Sequence, residues 1–418
     1  MSESPSFRIP VLLEKARWWI AGLLAAATAL NYLDRQNLPV VVVELQKHIP
    51  LTDQQYAHLQ FLFLMAYGLM YIGGGRIIDW LGTRMGYAVM ILWWSAANFL
   101  HGTVNGVFTL SIYRFLLGMG EGGGFPGSAK AVSEWFPPQE RSFAFGIFNT
   151  GSSVGAVIAP PLIAAIVYWS SWRWVFFVTG TLGFIWTFIW LRVYYTPAAI
   201  PAEIVDGVPV APVVVPRIRW AELFKFRQMW GLLAAKFLSD SAWYFFIFWL
   251  PKYLADVRKL NIKEIGYYAW IPYAFAGAGS FVGGWLSSKL IQRGISIDHS
   301  RKIALGIAAA LMPASLLIAK SPLRLAILFF SLALFGHQFW STIMQTLPAD
   351  MFPSRIVASV AGLLGAAGSF GGMFFNYGVG QMLGAFHSYS PVFLIAGLLH
   401  PAAFLIVLVA VKRIERVA

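Results

Sequence analysis

The sequence contains no cysteine and few charged residues. Asp, Glu, Lys and Arg make up 12% of its 418 residues, whereas 58% are hydrophobic and the mean hydropathy is +0.65. A soluble protein carries about twice that share of charge, and without cysteine neither disulfides nor thiol chemistry is available. Long apolar segments recur along the whole chain, while the alternating strands typical of a membrane barrel are missing. This composition predicts an all-α membrane protein.

The sequence also lacks the short motifs of several enzyme classes. It has no G-x-x-x-x-G-K-[S/T] loop, which argues against ATP-driven transport, and no HExxH motif, CxxC motif or nucleophile elbow, which argues against a membrane-embedded enzyme. We therefore expect no cofactor and no metal. A signalling receptor is the other class to weigh, although no soluble output domain is recognisable. Uphill uptake of a solute would separate a carrier from a receptor.

Twelve apolar segments are long enough, at about 20 residues each, to cross a bilayer as helices. We predict spans at residues 17–38, 56–78, 86–104, 107–130, 141–167, 174–194, 229–252, 264–290, 301–319, 323–347, 356–384 and 389–411. The predicted organisation is a cytoplasmic tail (1–16), a six-helix bundle (17–194), a cytoplasmic linker rich in proline and basic residues (195–228), a second six-helix bundle (229–411) and a C-terminal cytoplasmic tail (412–418).

The net charge of +13 does not indicate a nucleic-acid partner. Most Lys and Arg residues lie in the N-terminal tail, the even-numbered loops and the C-terminal tail. This is the positive-inside pattern, and it predicts that both termini are cytoplasmic. The short loops and the absence of N-x-[S/T] sequences fit a bacterial inner membrane, where we expect a monomer surrounded by lipid.

The two halves of the chain resemble each other weakly. Gly75 and Arg84 recur as Gly284 and Arg293 at a constant spacing, and a longer set in the fifth span recurs in the eleventh span in the same order. Two parallel six-helix repeats predict a secondary transporter whose binding site lies near mid-membrane between them.

Ionisable residues inside two spans of the first half predict a functional site. Asp34 and Arg35 follow a nearly uniformly apolar run, and ionisable residues inside a span indicate function by default, although placement at the water interface is the simpler alternative. In the fourth span, Arg114 and Glu121 are seven residues apart, which places them on one helix face about 10 Å apart. Estimated depths place Asp34 level with Arg114. We therefore predict that these two pair while Arg35 faces the cavity.

Polar and aromatic residues of the second half complete the predicted site. Lys236 and Asp240 have the i,i+4 spacing of an intramembrane ion pair and precede Trp243 and Tyr244, whereas Trp249 is interpreted as an interface aromatic. Single polar residues in spans most often bond neighbouring helices, but a converging group suits a hydroxyl-rich ligand. That group is Asn149, Ser152 and Ser153 in the fifth span, His337, Gln338, Trp340, Ser341 and Gln345 in the tenth, and Ser369 and Asn376 in the eleventh.

The balance of buried charge predicts a coupling mechanism. Three acids and three bases are predicted to be buried within the spans, namely Asp34, Glu121 and Asp240 with Arg35, Arg114 and Lys236. When the acids are unprotonated this set is neutral, and no charge is buried unpaired. Protonating Asp34 and Glu121 would leave two net positive charges, which favours an anion on a guanidinium, because arginine donates two parallel hydrogen bonds to a carboxylate. Proton entry and anion entry then favour the same occluded state. This predicts symport driven by the proton gradient.

The cytoplasmic end of the second span carries a candidate gate. Gly75, Asp79 and Arg84 belong to the motif G-x-x-x-D-x-x-G-T-R. Glycine allows close helix approach, and Asp79 can accept hydrogen bonds from a helix N-terminus or a nearby Arg. We predict a latch that holds the cytoplasmic side shut in one state, with ordinary solvation of Asp79 as the alternative. The second half has Ser288 in place of the acid, so the latch is one-sided.

These motifs resemble those of the major facilitator superfamily. Within it, N-Y-L-D-R-Q from Asn31, Y-R at Arg114, G-E at Glu121, and S-E-W-F-P from Ser133 followed by E-R-S at Arg141 resemble the anion:cation symporter branch. The runs F-N-x-G-S-S-x-G-A and F-W-L-P-K-Y-L are most similar to its hexuronate transporters. The resemblance covers almost the whole chain and implies two pseudo-symmetric six-helix bundles, twelve helices in all, that import a small anionic sugar acid with protons.

The resemblance also implies a role for each matching residue. Asp34 and Glu121 would be the proton-coupling carboxylates, with Arg114 switching between them, while Arg35 would bind the substrate carboxylate and Arg141 would join the gate. The residues implied or assigned to the sugar site are Tyr32, Tyr67, Asn149, Ser152, Ser153, Trp243, Tyr244, Trp340, Ser369 and Asn376.

The expected substrate is a ring-form hexuronate such as glucuronate or galacturonate. Related aldonate carriers have an amide where Ser152 and Ser369 stand, which is the departure that favours the ring form. An aldonate or another organic anion is the alternative. A proton-coupled drug exporter would leave Arg35 without an explanation.

Overall fold

The computed structural model describes residues 11–136, 138–195, 204–205, 208–209, 220–352 and 354–415. The α-helices of these segments are α1 (Val11–Leu45), α2 (Asp53–Leu81), α3 (Thr83–His101), α4 (Val107–Gly122), α5 (Gly124–Trp135), α6 (Pro138–Trp169), α7 (Trp172–Val193), α8 (Trp220–Leu223), α9 (Arg227–Asp256), α10 (Ile262–Tyr268), α11 (Trp270–Gln292), α12 (Ile297–Leu311), α13 (Leu323–Met351), α14 (Ser354–Phe386) and α15 (Ser390–Ile406). A 3-10 turn (Met312–Leu317) extends α12, and a π turn (Val407–Val411) extends α15. Two-residue strands β1 (Ile204–Val205) and β2 (Val208–Pro209) pair antiparallel.

The predicted twelve-span, all-α fold is confirmed. Each predicted span corresponds to one helix or to consecutive helical segments: α4 and α5 form the fourth span, and α10 and α11 form the eighth. Six described helices are by themselves long and apolar enough to cross a membrane, and α1, α4 and α9, which carry the buried charges, are not among them. The predicted linker and tails lie partly outside the described residues, so their boundaries stay predictions.

Small residues set how closely the helices of the first bundle approach. On α6, Gly151 and Gly155 lie directly against the main-chain carbonyls of Ala25 and Ala29 on α1, so that a Cβ at either position would collide with them. This is the small-xxx-small arrangement by which membrane helices bring their backbones together. Within the same bundle, α2 packs on α4, and α3 packs on α4 and α7.

The two bundles meet along α2 with α14, α6 with α10 and α11, and α1 with α9. At the end predicted to face outside, Lys252 of α9 forms an ion pair with Asp53 of α2 (Nζ–Oδ1 2.7 Å) and another with Asp256. The Tyr56 hydroxyl of α2 donates to the Phe248 carbonyl of α9 (2.5 Å). The ion pair of Lys252 with Asp53 and the hydrogen bond of Tyr56 therefore both join the bundles at this end.

Replacing Gly155 by alanine is expected to destabilise the α1–α6 contact. The new methyl group would meet the Ala29 carbonyl, and overpacking of this kind costs about 1–3 kcal/mol. Gly146→Ala in the same helix is the matched control, because the described structure has no atom within 4 Å of a Cβ built there. Thermal unfolding in detergent should show a lower midpoint for Gly155→Ala alone, and equal midpoints would contradict this packing.

Candidate functional site

The centre of the candidate site is a buried ion pair between Arg35 on α1 and Glu121 in the last turn of α4. Arg35 Nε and Nη2 both donate to Glu121 Oε2, at 3.0 and 2.9 Å, and Nη2 also donates to Asn31 Oδ1 at 2.9 Å. The side chains of Arg35 and Glu121 are 2% and 0% exposed. Charges so deeply buried are tolerated only when they are paired and hydrogen-bonded, and here each side chain compensates the charge of the other.

Aromatic rings surround the Arg35 guanidinium. Its Cζ lies 4.8 Å from the ring centroid of Tyr32, 4.7 Å from that of Tyr67 and 5.7 Å from that of Phe63. These are cation–π distances. Within the described chain, no hydrogen bond is made by Arg35 Nη1 or by the hydroxyls of Tyr32 and Tyr67. None of these three atoms is fully enclosed by the protein. The guanidinium thus keeps one nitrogen for a further acceptor.

Asp34 lies in a different environment from its neighbour Arg35. Its Oδ1 accepts from Asn98 Nδ2 on α3 (2.8 Å), and Asn98 is bonded in turn to Asn37 and to Thr179 on α7. Asp34 is fully buried, its Oδ2 has no partner, and no Lys or Arg of the described residues pairs with it. Burying an unpaired carboxylate is costly, so this environment suits a protonated Asp34.

The predicted pair between Asp34 and Arg114 is wrong. Arg114 is buried with its Cζ 5.3 Å from the Phe63 ring centroid, and its Nε and Nη2 lack hydrogen-bond partners in the described structure. Glu121 pairs with Arg35 instead. Arg35 was expected to face the cavity without an ionic partner, and that expectation is also wrong. Adjacent helical residues point about 100° apart, and that rotation directs Asp34 to α3 and α7 and Arg35 to α4. Depth along the helix alone could not distinguish these directions.

The second bundle contributes a wall built on α9. Lys236 Nζ lies 3.0 Å from Asp240 Oδ1 and 2.9 Å from Oδ2, and both side chains are 11% exposed. Trp243 stacks on His337 with 4.7 Å between ring centroids. The Tyr244 hydroxyl makes no hydrogen bond within the described chain, and it is not fully enclosed by the protein.

Helix α14 packs on the site through three glycines. A Cβ at Gly365 would collide with the Tyr71 ring, one at Gly368 with the Asp240 carboxylate, and one at Gly372 with the Tyr244 ring. The absence of side chains at these positions lets α14 approach both bundles closely.

Three residues expected in the sugar site are fully buried among packed helices. Asn376 accepts from Trp249 Nε1 (2.8 Å) and donates to the Gly372 carbonyl, while the Ser369 hydroxyl donates to the Gly365 carbonyl. Trp340 is fully buried, with its Nε1 enclosed and its ring against His400. Trp249 is itself 0% exposed, so its interpretation as an interface aromatic is wrong.

The predicted site residues of α6 make no hydrogen bond to Arg35 or Glu121 within the described chain. Asn149 is exposed, and Ser152 and Ser153 are half-buried. The Ser152 hydroxyl donates to the Asn149 carbonyl (2.7 Å), and Ser153 faces Gly277 of α11 across the bundle interface.

The predicted gate residues do not meet one another. Asp79 pairs with Lys130 of α5 (2.7 Å), a partner that the sequence analysis missed, and Arg84 donates to the Leu191 carbonyl (2.6 Å). Arg141 donates to the carbonyls of Phe136 and Ser133 at the end of α5 (3.0 and 2.9 Å), while Gly75 lies near Pro126. The acid thus accepts from a lysine side chain, and not from the helix N-terminus or the arginine that were expected. All these contacts lie within the first bundle.

Other polar partners were also missed. Asn98, which donates to Asp34, and Thr179, which accepts from Asn98, are polar residues within apolar spans, and that contrast is the signal that could have marked them. Lys252 and Asp53 are far apart in sequence, so no local pattern predicts their contact.

Twelve helical spans in two bundles, around a buried charged site, define a polytopic membrane carrier. A family model described as Major Facilitator Superfamily matches residues 24–375. The hexuronate transporter of Escherichia coli (strain K12) is 33% identical over 393 residues, covering 90% of each chain. The galacturonate transporter of Dickeya chrysanthemi is 34% identical over 309 residues, covering 71% of this chain and 89% of its own. The chain therefore belongs to the major facilitator superfamily and is a multi-pass membrane transporter rather than an enzyme.

A solved structure agrees with this fold. A bacterial homologue of the human lysosomal transporter Spinster, crystallised in an inward-facing and unoccupied conformation, superposes with a TM-score of 0.75. The match covers 95% of this chain and 96% of that one at 20% identity. At that identity the likeness shows the fold alone.

Asn376→Ala is expected to lower stability, because the Trp249 N–H would lose its partner in a buried site, at a cost of about 1–3 kcal/mol. Asn149→Ala is the matched control, since this asparagine is exposed. The midpoint of thermal unfolding in detergent should fall only for Asn376→Ala. If the midpoint stays unchanged while ligand affinity drops, Asn376 contacts the ligand and the structural role assigned to it is wrong.

Proposed function

We propose that this transporter imports a hexuronate, such as glucuronate or galacturonate, together with protons. The observation that carries the proposal is the buried Arg35, which is paired with one acid and keeps one nitrogen for another acceptor. A guanidinium suits a carboxylate because both are planar and can form parallel hydrogen bonds. Relatives named hexuronate and galacturonate transporters support the substrate class.

Competition for Arg35 is the proposed coupling step. While Glu121 is ionised it occupies Nε and Nη2 of Arg35. A substrate carboxylate entering then would meet a second carboxylate on the same guanidinium, and two like charges repel strongly in a low-dielectric site. A proton on Glu121 removes its charge and frees the guanidinium for the substrate. Loss of that proton restores the ion pair and expels the substrate, so substrate and proton travel together.

Asp34 and Arg114 determine the electrostatic surroundings of this step. Asp34 carries no ion pair in the described chain, and we assign it the second coupling proton. Arg114 lies within electrostatic range of both Arg35 and Glu121 and supplies positive potential that attracts an anion. We assign it the switching role between the acids in the conformation not described by this structure.

Alternating access is supported by the links between the bundles. The contact of Lys252 with Asp53 joins α9 to α2 at the predicted outer end, so outward opening requires it to break. We place both termini in the cytoplasm and the protein, as a monomer, in a bacterial inner membrane. These assignments rest on the distribution of Lys and Arg and on the bacterial relatives.

Uptake of labelled glucuronate and galacturonate into proteoliposomes tests the proposal. We expect accumulation only under an inward proton gradient and its loss in Arg35→Ala, because no other group replaces the bidentate guanidinium. Uptake of aldonates in place of uronates would keep the mechanism and replace the substrate class, an alternative supported by a 30% identical D-galactonate transporter. Accumulation without any dependence on protons would refute coupling.

Glu121→Gln is expected to separate binding from coupling. The amide keeps the shape of the side chain but cannot release a proton, so exchange of substrate across the membrane should persist while gradient-driven accumulation falls by at least about tenfold, the change that 1.4 kcal/mol produces. Counterflow and uphill uptake measured on the same vesicles give the two readouts. Normal uphill accumulation by this variant would remove Glu121 from the coupling role.

A further inference from the structure

The ion pair between Lys236 and Asp240 has no role in the proposed coupling step. Both residues lie on α9, one turn apart, with Nζ–Oδ distances of 2.9 and 3.0 Å. An ion pair within one helix fastens no second helix, and such pairs contribute little to stability. Burying its two charges is nevertheless costly. A structural purpose therefore does not explain why the pair is buried.

The pair faces the same space as Arg35. The Tyr67 ring lies 4.7 Å from the Arg35 guanidinium and contacts the Tyr71 ring, with 5.4 Å between centroids. Tyr71 and Asp240 both lie against one face of α14, at Gly365 and Gly368. Each bundle thus presents one acid–base pair to a shared aromatic region. The second pair is the more open one, because its side chains are 11% exposed whereas those of Arg35 and Glu121 are 2% and 0% exposed.

The second pair also keeps unused hydrogen-bonding capacity. Among the described residues, Lys236 donates its side-chain hydrogen bonds only to Asp240, and the Asp240 carboxylate accepts only from Lys236 and, at 3.5 Å, from Ser239. An ammonium has three donors and a carboxylate about four acceptor positions. The backbone of α14 at Gly368 packs against the carboxylate and fixes its position.

We infer that Lys236 and Asp240 bind the hydroxyl groups of the sugar ring at the end remote from the carboxylate that Arg35 binds. Asp240 accepts from two neighbouring hydroxyls and Lys236 donates to a hydroxyl or ring oxygen, so the pair selects hydroxylated acids over apolar ones. This inference rests on the proposed function and names the residues that determine specificity within it.

The matched ligands for the test are glucuronate and cyclohexanecarboxylate, which share a six-membered ring with one carboxylate but differ in their hydroxyl groups. Competition against labelled hexuronate uptake in proteoliposomes gives an inhibition constant for each. The double variant Lys236→Met/Asp240→Leu removes both charges together, so neither is left buried without a partner. We expect it to lower the preference for glucuronate over cyclohexanecarboxylate by at least about tenfold, as for a lost charge-assisted hydrogen bond.

Two further measurements separate this role from its alternatives. Asp240→Asn keeps one acceptor and should retain part of the preference, and it should raise the KM for glucuronate more than it lowers the maximal rate. An equal loss for both ligands, together with a lower unfolding midpoint, would mean that the pair is structural. Loss of proton dependence with unchanged preference would mean that it couples protons.

The same assay distinguishes failure of the inference from failure of the proposed function. If the wild-type protein takes up hexuronates with protons and the double variant keeps the same preference, the inference alone is wrong. If the wild-type protein binds neither ligand, both the substrate class and the role of this pair are wrong.

Discussion

The interaction on which the rest of the structure depends is the ion pair of Arg35 with Glu121. Two full charges with almost no exposed surface are stable only together, since removing one partner of a buried pair costs about 3–5 kcal/mol. In the proposed mechanism an anion takes the place of Glu121 only when that carboxyl is neutral. The proposed coupling of anion to proton would therefore follow from the burial of this pair, through the exchange of one acceptor of Arg35 for another.

The helices around this pair are arranged so that it can form. Gly118 and Gly122 place α4 directly on the carbonyls of Phe63 and Tyr67 of α2. This close approach brings Glu121 within reach of α1 and brings two aromatic rings to the guanidinium. These rings come from α2, which also carries Asp53 in the ion pair with Lys252 between the bundles. The helix that joins the bundles at the end predicted to face outside therefore also covers the site.

The sequence was sufficient to predict the fold and the burial of charged residues within the helices. Long apolar runs and ionisable residues within them are local features, and each can be read without knowing what lies beside it. Partners could not be predicted in the same way. Asp34 and Arg35 are neighbours in sequence, yet they contact different helices. A tryptophan near a proline, such as Trp249, has the same local sequence whether it faces lipid or bonds a buried side chain such as Asn376. Rotation and tilt of two helices decide such contacts, and neither is encoded in a single span.

Three glycines on one face of α14 shape the site because they carry no side chains. Where Gly365, Gly368 and Gly372 lie against Tyr71, Asp240 and Tyr244, a single added methyl group would displace a ring or a carboxylate. The width of the site is thus controlled by a helix that supplies none of its charges at these positions. Substitutions at Gly365 and Gly372, which lie against rings and not against a charged group, can alter which molecules fit while leaving both ion pairs in place. In the proposed mechanism, the size of the substrate and the chemistry that drives its transport can then change independently.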